Sequence, residues 1–84
     1  MQKQLEKIEI ELAKRIYKLF MVKFDGNKSA FARAAECKET TIRRIFRNQQ
    51  GITINLLLRL AAALDVSIID LIKDLELKKE IKTK

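Results

Sequence analysis

The stretch that decides the fold runs from residue 28 to residue 47 and reads KSAFARAAECKETTIRRIFR. Apolar residues recur at helical spacing in both halves, namely Phe31, Ala32 and Ala35 in the first and Ile42, Ile45 and Phe46 in the second. Two such helices, joined by a tight turn near Cys37, must bury their apolar faces against each other and a common core. The pattern therefore predicts two short helices that cross, with Cys37 as a small buried hydrophobic residue at the turn.

The outward faces of these two helices are polar and mainly basic. Between residues 28 and 47 six residues are basic and two are acidic, so this segment has a net charge of +4. A helix with one apolar face and arginines on the other has the shape and charge to lie in a DNA groove. The whole chain carries +7 at pH 7, which also favours a polyanionic partner.

Length and composition limit the fold class. With 84 residues the chain can build one small core, but not an active-site cleft on a separate scaffold. The absence of proline and the presence of only two glycines leave little room for a turn-rich β architecture. Because 48% of the residues are apolar and recur at helical spacing, we expect one all-α domain over residues 1–84.

Several kinds of chemistry lack the residues they need. One cysteine and no histidine make neither an internal disulfide nor a zinc site. Without histidine or a glycine-rich loop, and with two serines, the chain offers no catalytic base or phosphate cradle. Asp70 and Asp74 are interpreted as a solvated helix face rather than a catalytic pair. We therefore predict that the protein is not an enzyme and has no metal or cofactor.

The amino terminus and the hydropathy pattern bear on localisation. The first residues are charged and amphipathic and do not resemble a secretion signal. The sequence has no apolar run of about eighteen residues, the length that a membrane span needs. We therefore expect a cytoplasmic protein with no membrane partner.

An amphipathic helix is predicted from about Gln2 to Lys23. Its apolar residues recur every three or four positions: Leu5, Ile8, Leu12, Ile16 and Leu19. Residues before about Glu11 exceed what the core requires, and they either pack on another surface or form a solvated extension. Gly26 is expected to end this helix, and Asn27 to cap the next one.

Two more helices are predicted after the polar loop of residues 48–51. Thr53 should cap a helix that runs to Leu64. Asp65 should end that helix, because aspartate tolerates the left-handed conformation better than most residues. Ser67, with Asp70 three residues later, resembles the capping box that begins a helix. This last helix is expected to continue beyond residue 73 and to fray at about residues 79–84.

The last helix has more apolar residues than one buried face can use. Four of them can face the core: Ile68, Leu71, Ile72 and Leu75. Three others, Ile69, Leu77 and Ile81, have no evident place there. Surplus apolar residues on a small basic domain indicate a partner surface, and we predict that these three contribute to a dimer interface.

The order of residue types resembles the helix-turn-helix of Xre/Cro and λ-repressor-like regulators, and the resemblance covers most of the chain. It is carried by Phe31-Ala32, Ala35, Cys37, Ile42, Ile45, Ile52-Thr53-Ile54, Leu57 and Ala61-Ala63-Leu64-Asp65-Val66-Ser67. Three positions depart from the family pattern: Glu36 replaces the usual turn glycine, Lys28 a glutamine and Phe46 a glutamate. Glu36 is therefore expected to adopt the left-handed conformation, at a cost of about 1 kcal/mol.

Two matched departures from the family pattern predict a contact between side chains. In this family an arginine of the first helix of the domain commonly pairs with the glutamate at the end of the second helix of the helix-turn-helix. The corresponding places here are Phe20 and Phe46. Since well-packed apolar groups often replace a buried ion pair without loss of stability, we predict that the two rings touch.

The resemblance implies a five-helix fold with an extended first helix and a helix-turn-helix at about residues 28–47. It further implies a small homodimeric regulator that binds an approximately palindromic operator. The second helix of its helix-turn-helix would enter the major groove. The alternative is a protein-interaction module, antitoxin-like or a dimerisation domain, with this fold and little DNA binding. The local charge of the unit favours DNA. No small-molecule effector is expected, because the chain has no second domain to hold one.

Burial of Ile42 and Ile45 would leave the other side of their helix for DNA. The predicted base contacts are Glu39 to cytosine N4, Thr40 to a thymine methyl group and Arg44 to guanine O6 and N7. The predicted contacts with the DNA backbone are Lys28, Lys38, Arg43, Arg47, Asn48 and Gln49. Of these, Arg43 can reach either a base or a phosphate, and it is assigned to the phosphate.

Overall fold

The computed structural model describes residues 7–75, which form five α-helices and no strand. The helices are α1 (Lys7–Phe24), α2 (Lys28–Ala34), α3 (Glu39–Phe46), α4 (Ile54–Leu64) and α5 (Ile68–Ile72). α1 contacts each of the other four helices, and the predicted all-α, five-helix class is confirmed. Within the described range, no helix has the length and apolar character needed to cross a membrane.

The buried face of α1 overlaps the predicted face at Ile16 but has a different centre. Ala13, Ile16 and Phe20 are buried, whereas Leu12 and Leu19 are only partly buried beside them. The leucine and isoleucine spacing alone placed the centre of the face on the side of Leu12 and Leu19. The other helices pack against the adjacent side, so an alanine and a phenylalanine occupy its centre.

All five aromatic residues of the chain gather in one cluster around Phe20. The centroid of the Phe20 ring lies 5.1 Å from that of Phe31 and 5.1 Å from that of Phe46. Tyr17 and Phe24 contact the same ring, with centroids at 5.8 and 6.5 Å. The predicted contact between Phe20 and Phe46 is confirmed, and these rings join α1, α2 and α3.

Helices α2, α3 and α4 are each followed by a non-glycine residue in the left-handed conformation. These residues are Glu36 (φ 57°), Asn48 (φ 58°) and Asp65 (φ 60°). The residue after each one donates its backbone N–H to a carbonyl five positions earlier: Cys37 to Ala32, Gln49 to Arg44 and Val66 to Ala61. This is the Schellman pattern, which satisfies carbonyls left open at a helix end. The predicted left-handed conformations of Glu36 and Asp65 are confirmed.

Three helices begin with a side-chain cap, as the sequence indicates. The side-chain oxygens of Asn27, Thr53 and Ser67 accept from the backbone N–H three residues later, at 3.0, 3.1 and 3.0 Å. α3 is different, because its N-cap residue Lys38 makes no side-chain capping bond. The start of α3 at Glu39 therefore depends on its packing.

α5 is shorter than predicted. It ends at Ile72, because Lys73 is extended (ψ 145°) and Asp74 is left-handed (φ 69°). The physical cause lies in α1, where Arg15 Nη1 donates to the carbonyl of Leu71 at 2.9 Å and to that of Lys73 at 2.6 Å. These charge-assisted bonds hold the carbonyls in a turn, so the prediction that the helix continues through residues 73–75 is wrong.

The apolar residues of the last helix divide differently from the prediction. Leu71 is fully buried, Ile68 and Leu75 are partly buried, and Ile72 is 40% exposed rather than facing the core. Ile69 is 68% exposed. The remaining predictions for this part of the chain lie outside the described residues: Leu77, Ile81 and the frayed tail at about 79–84.

The ring contact between Phe20 and Phe46 predicts energetic coupling. In a double-mutant cycle with Phe20→Leu and Phe46→Leu, the two costs in free energy of unfolding should couple by about 0.5–1.5 kcal/mol, because each leucine removes the aromatic pair. Chemical denaturation followed by circular dichroism measures this coupling. The matched control is Phe24→Leu with Phe46→Leu, since the Phe24 ring pairs with Phe20 and Phe31. Equal coupling in both cycles would contradict a specific Phe20–Phe46 interaction.

The left-handed conformation of Glu36 predicts a stabilising substitution. Glu36→Gly should raise the free energy of unfolding by about 0.5–1 kcal/mol, because glycine adopts this conformation without the steric cost. Ala34→Gly, inside the last turn of α2, is the control and should lower it by about 0.5–1 kcal/mol. Urea titrations of both variants measure the two changes. A clear loss of stability in Glu36→Gly would argue against a strained backbone at this position.

Candidate nucleic-acid interface

The packing of α3 determines which of its residues face solvent. Ile42 and Ile45 are each 1% exposed, and Phe46 is partly buried in the aromatic cluster. Because α3 is packed through Ile42 and Ile45 and also through Phe46 at its end, it cannot rotate about its axis. Its opposite face is therefore presented to solvent in one orientation.

The three predicted base-contacting residues lie on that solvent-facing side. Glu39 and Thr40 occupy the first turn of α3, where Thr40 is exposed and Glu39 is half-exposed. Arg44 lies one turn later and is also exposed. The structure therefore leaves all three side chains accessible, and their individual DNA contacts stay predictions.

Glu39 and Arg43 form an ion pair that the sequence analysis missed. Arg43 Nη2 donates to Glu39 Oε2 at 3.0 Å, and the two side chains remain 45% and 41% exposed. The spacing of four residues was the available signal, because glutamate followed by arginine at this distance pairs on a helix surface. An exposed pair of this kind adds little stability, but it places a positive charge directly beside the only acidic group of α3.

The predicted DNA-backbone contacts surround this face at the helix ends. Lys28 begins α2 and is half-buried, while Lys38 precedes α3 and is exposed. Beyond α3, exposed Arg47, Asn48 and Gln49 follow the last turn. The left-handed conformation of Asn48 turns the chain away from the helix axis there. The structure thus places a basic residue at each end of α3 and two amide side chains beyond its C-terminal end.

A second interaction that the sequence analysis missed joins α4 to the turn between α2 and α3. Arg59 Nη1 donates to the backbone carbonyl of Glu36 at 3.0 Å, across 23 residues of sequence. In the sequence Arg59 lies in a mainly apolar helix, and no role was predicted for it. No local pattern could identify a hydrogen-bond partner so distant in the chain.

Cys37 lies beside this contact and is partly buried against the core. Burial raises the pKa of the Cys37 thiol, and the positive charge of Arg59 opposes that rise without cancelling it. A thiol with a raised pKa has little thiolate at neutral pH, so it is a poor nucleophile. This agrees with the interpretation of Cys37 as a small hydrophobic residue.

Comparison with known proteins bears on the family. A model of the helix-turn-helix family matches residues 18–71, the stretch from the second half of α1 to α5. No curated protein matches the sequence.

Two solved structures have a similar fold. The restriction-modification controller protein C.AhdI from Aeromonas hydrophila is 22% identical, with a TM-score of 0.67 over 74% of this chain and 92% of that chain. The hypothetical transcription factor NHTF from Neisseria is also 22% identical, with a TM-score of 0.68 over 86% of this chain and 84% of that chain. At this level of identity the similarity concerns the fold.

The family match includes both helices of the unit, the turn between them and the helices that support them. It therefore covers the whole solvent-facing surface of α3 described above. The chain belongs to the Xre/λ-repressor-like helix-turn-helix family of DNA-binding transcription regulators.

Proposed function

We propose that this protein is a sequence-specific regulator that binds an operator as a homodimer, with α3 in the major groove of each half-site. The observation that carries the proposal is the orientation of α3. Its apolar side is anchored by Ile42 and Ile45, while Thr40, Arg43 and Arg44 remain exposed on the other. A major groove about 12 Å wide admits a helix presented in this way.

Position along α3 supports different roles for its polar residues. The first turn of a recognition helix is the part nearest the base edges. Glu39 and Thr40 lie there, and we assign them to cytosine N4 and a thymine methyl group. Arg44 lies one turn further on, and its planar guanidinium can donate two bonds to guanine O6 and N7.

The ion pair between Glu39 and Arg43 explains how an acidic side chain can face DNA. A lone carboxylate in the groove would be repelled by the phosphates. Arg43, held 3.0 Å away, offsets that charge. Its guanidinium has further N–H donors, which we assign to a phosphate oxygen.

The remaining backbone contacts are proposed at the ends of α2 and α3. Lys28, Lys38 and Arg47 supply positive charge, and Asn48 and Gln49 supply amide donors. Such contacts determine the orientation of a protein on the duplex and carry no sequence information themselves. They should therefore contribute to affinity for every DNA sequence.

Homodimerisation is proposed because operators of this type contain two half-sites about 34 Å apart. A protein with one recognition helix needs a second copy to occupy both. The exposed isoleucines of α5 support this face as the interface, since Ile69 is 68% and Ile72 is 40% exposed. Leu77 and Ile81 follow α5 in the sequence, and we assign them to the same interface.

Selection of bound molecules from a random DNA pool tests the proposal and supplies the operator. We expect an approximately palindromic motif whose half-sites are about one helical turn apart. Recovery of no motif, together with weak binding to all DNA, would favour a protein-interaction module with the same fold.

Substitutions in the two classes of DNA contact should behave differently. Arg44→Ala should cost about 1–3 kcal/mol on the selected operator and relax the preference at one base pair, because a bidentate base contact is lost. Lys28→Ala should weaken binding to all sequences alike and reduce the salt slope by about one per subunit. Binding titrations over salt concentration and over single-base operator variants measure both effects. Uniform weakening by Arg44→Ala, with base preference unchanged, would overturn its assignment.

The dimer interface can be tested with two matched substitutions. Ile69→Glu should shift the protein to monomers, because it places a charge in the proposed apolar contact. Ile54→Glu is the control, since Ile54 is 69% exposed on α4 and lies outside that interface. Analytical ultracentrifugation over a range of concentrations measures the association state. A wild-type protein that stays monomeric at high concentration, and binds as one monomer per operator, would contradict the dimer.

A further inference from the structure

We propose that Arg59 is a positioning residue for DNA recognition, which holds the turn between α2 and α3 and thereby sets the angle at which α3 meets the groove. This inference rests on the proposed function, because it assigns a supporting residue to the same recognition helix. Arg59 would act through the backbone of Glu36 rather than through contact with DNA.

The first support is the geometry of the contact. Arg59 Nη1 lies 3.0 Å from the carbonyl oxygen of Glu36, the residue in the left-handed conformation between the two helices. Arg59 extends from α4, whose buried residues include Leu57, Leu60 and Ala61. A guanidinium attached to such a well-anchored helix can hold a backbone carbonyl in a defined place, and a charged donor makes that bond stronger than a neutral one.

The second support is that the start of α3 lacks the usual local anchor. The N–H groups of Glu36 and Cys37 are already used, since they donate to Arg33 and Ala32 at the end of α2. Lys38 provides no side-chain cap for α3. The Lys38 carbonyl accepts from the backbone N–H groups of Thr41 and Ile42 in α3. The bond from Arg59 to the Glu36 carbonyl adds a restraint from α4 to a turn that otherwise bonds to α2 and α3.

The third support comes from the surroundings of the guanidinium. Its positive charge acts on the Cys37 thiol, whose pKa it lowers against the effect of burial. An open groove of about 310 Å³ lies between the end of α2 and α4, and Ala34, Arg59 and Ala62 are among its lining residues. The guanidinium thus lies against the turn, on a helix that supplies none of the proposed DNA contacts.

The test compares Arg59→Ala, Arg59→Lys and a control, Lys14→Ala, which removes one exposed positive charge from α1. Circular dichroism first checks that each variant retains the helical content of the wild-type protein. Affinity for the selected operator is then measured over a range of salt concentrations. The pH dependence of Cys37 alkylation by iodoacetamide is measured on the free proteins.

We expect Arg59→Ala to weaken operator binding about 5- to 10-fold, comparable to the net effect of one ordinary hydrogen bond because Arg59 is exposed, with the wild-type salt slope retained. Base preference should relax at several positions, because the whole of α3 is less well oriented. The midpoint of Cys37 alkylation should move to higher pH. Arg59→Lys should restore the alkylation midpoint but only part of the affinity, since lysine keeps the charge and lacks the planar fork. Lys14→Ala should match the wild type in base preference and in alkylation.

Three results would overturn the inference. A salt slope reduced by about one per subunit in Arg59→Ala would identify a phosphate contact instead. Wild-type affinity and base preference in Arg59→Ala would remove Arg59 from recognition while leaving the proposed function intact. Failure of the wild-type protein itself to select DNA would remove the proposed function and this inference together. If Arg59→Ala does not fold, the same comparisons apply to Arg59→Lys.

Discussion

The packing of the Phe20 ring is the interaction on which the rest of this structure depends. Phe20 is fully buried and contacts Tyr17, Phe24, Phe31 and Phe46, so one side chain of α1 organises every aromatic residue of the chain. Phe31 belongs to α2 and Phe46 to α3, and the cluster therefore fixes both helices of the DNA-binding unit against α1. Aromatic rings supply more buried area per residue than aliphatic side chains, which matters in a domain with a small core. The exposed face of α3 is a consequence of what its other face must bury.

Hydrogen bonds to backbone carbonyls provide a second level of order. Two arginines serve this purpose: Arg15 holds the end of α5 from α1, and Arg59 reaches the turn after α2 from α4. These three bonds satisfy carbonyl groups near helix ends, where the helix itself provides no donor. The helix ends at Glu36, Asn48 and Asp65 also accept a left-handed conformation without glycine. The chain thus makes tight turns with polar side chains and Schellman bonds, and packing offsets the modest backbone strain.

The charge of the chain is unevenly distributed, with a basic excess in the helix-turn-helix. Residues 28–47 carry six basic and two acidic residues, and five of the six basic residues are exposed while Lys28 is half-buried. Positive potential there attracts nucleic acid, while the arrangement of individual donors decides which sequence is preferred. Within α3 the acidic Glu39 is paired with Arg43, so the face can present an acceptor without a net negative charge. Regulators of this family bind DNA, and a basic exposed surface is compatible with that partner.

The local sequence determined the helix caps, some of the helix ends and the buried side of α3. The caps at Asn27, Thr53 and Ser67 and the left-handed turn at Asp65 follow from side chains within a few positions. The left-handed turn at Glu36 was expected from the resemblance to the family. Apolar spacing likewise determined which side of α3 is buried, and with it the set of candidate DNA-binding residues. Only the tertiary structure decided which face of α1 forms the core, where α5 ends, and which carbonyls Arg15 and Arg59 bind. The face of α1 depends on the helices that pack against it. The arginine contacts join groups 56 to 58 residues apart for Arg15 and 23 residues apart for Arg59, and no local pattern records the position of a partner so far along the chain.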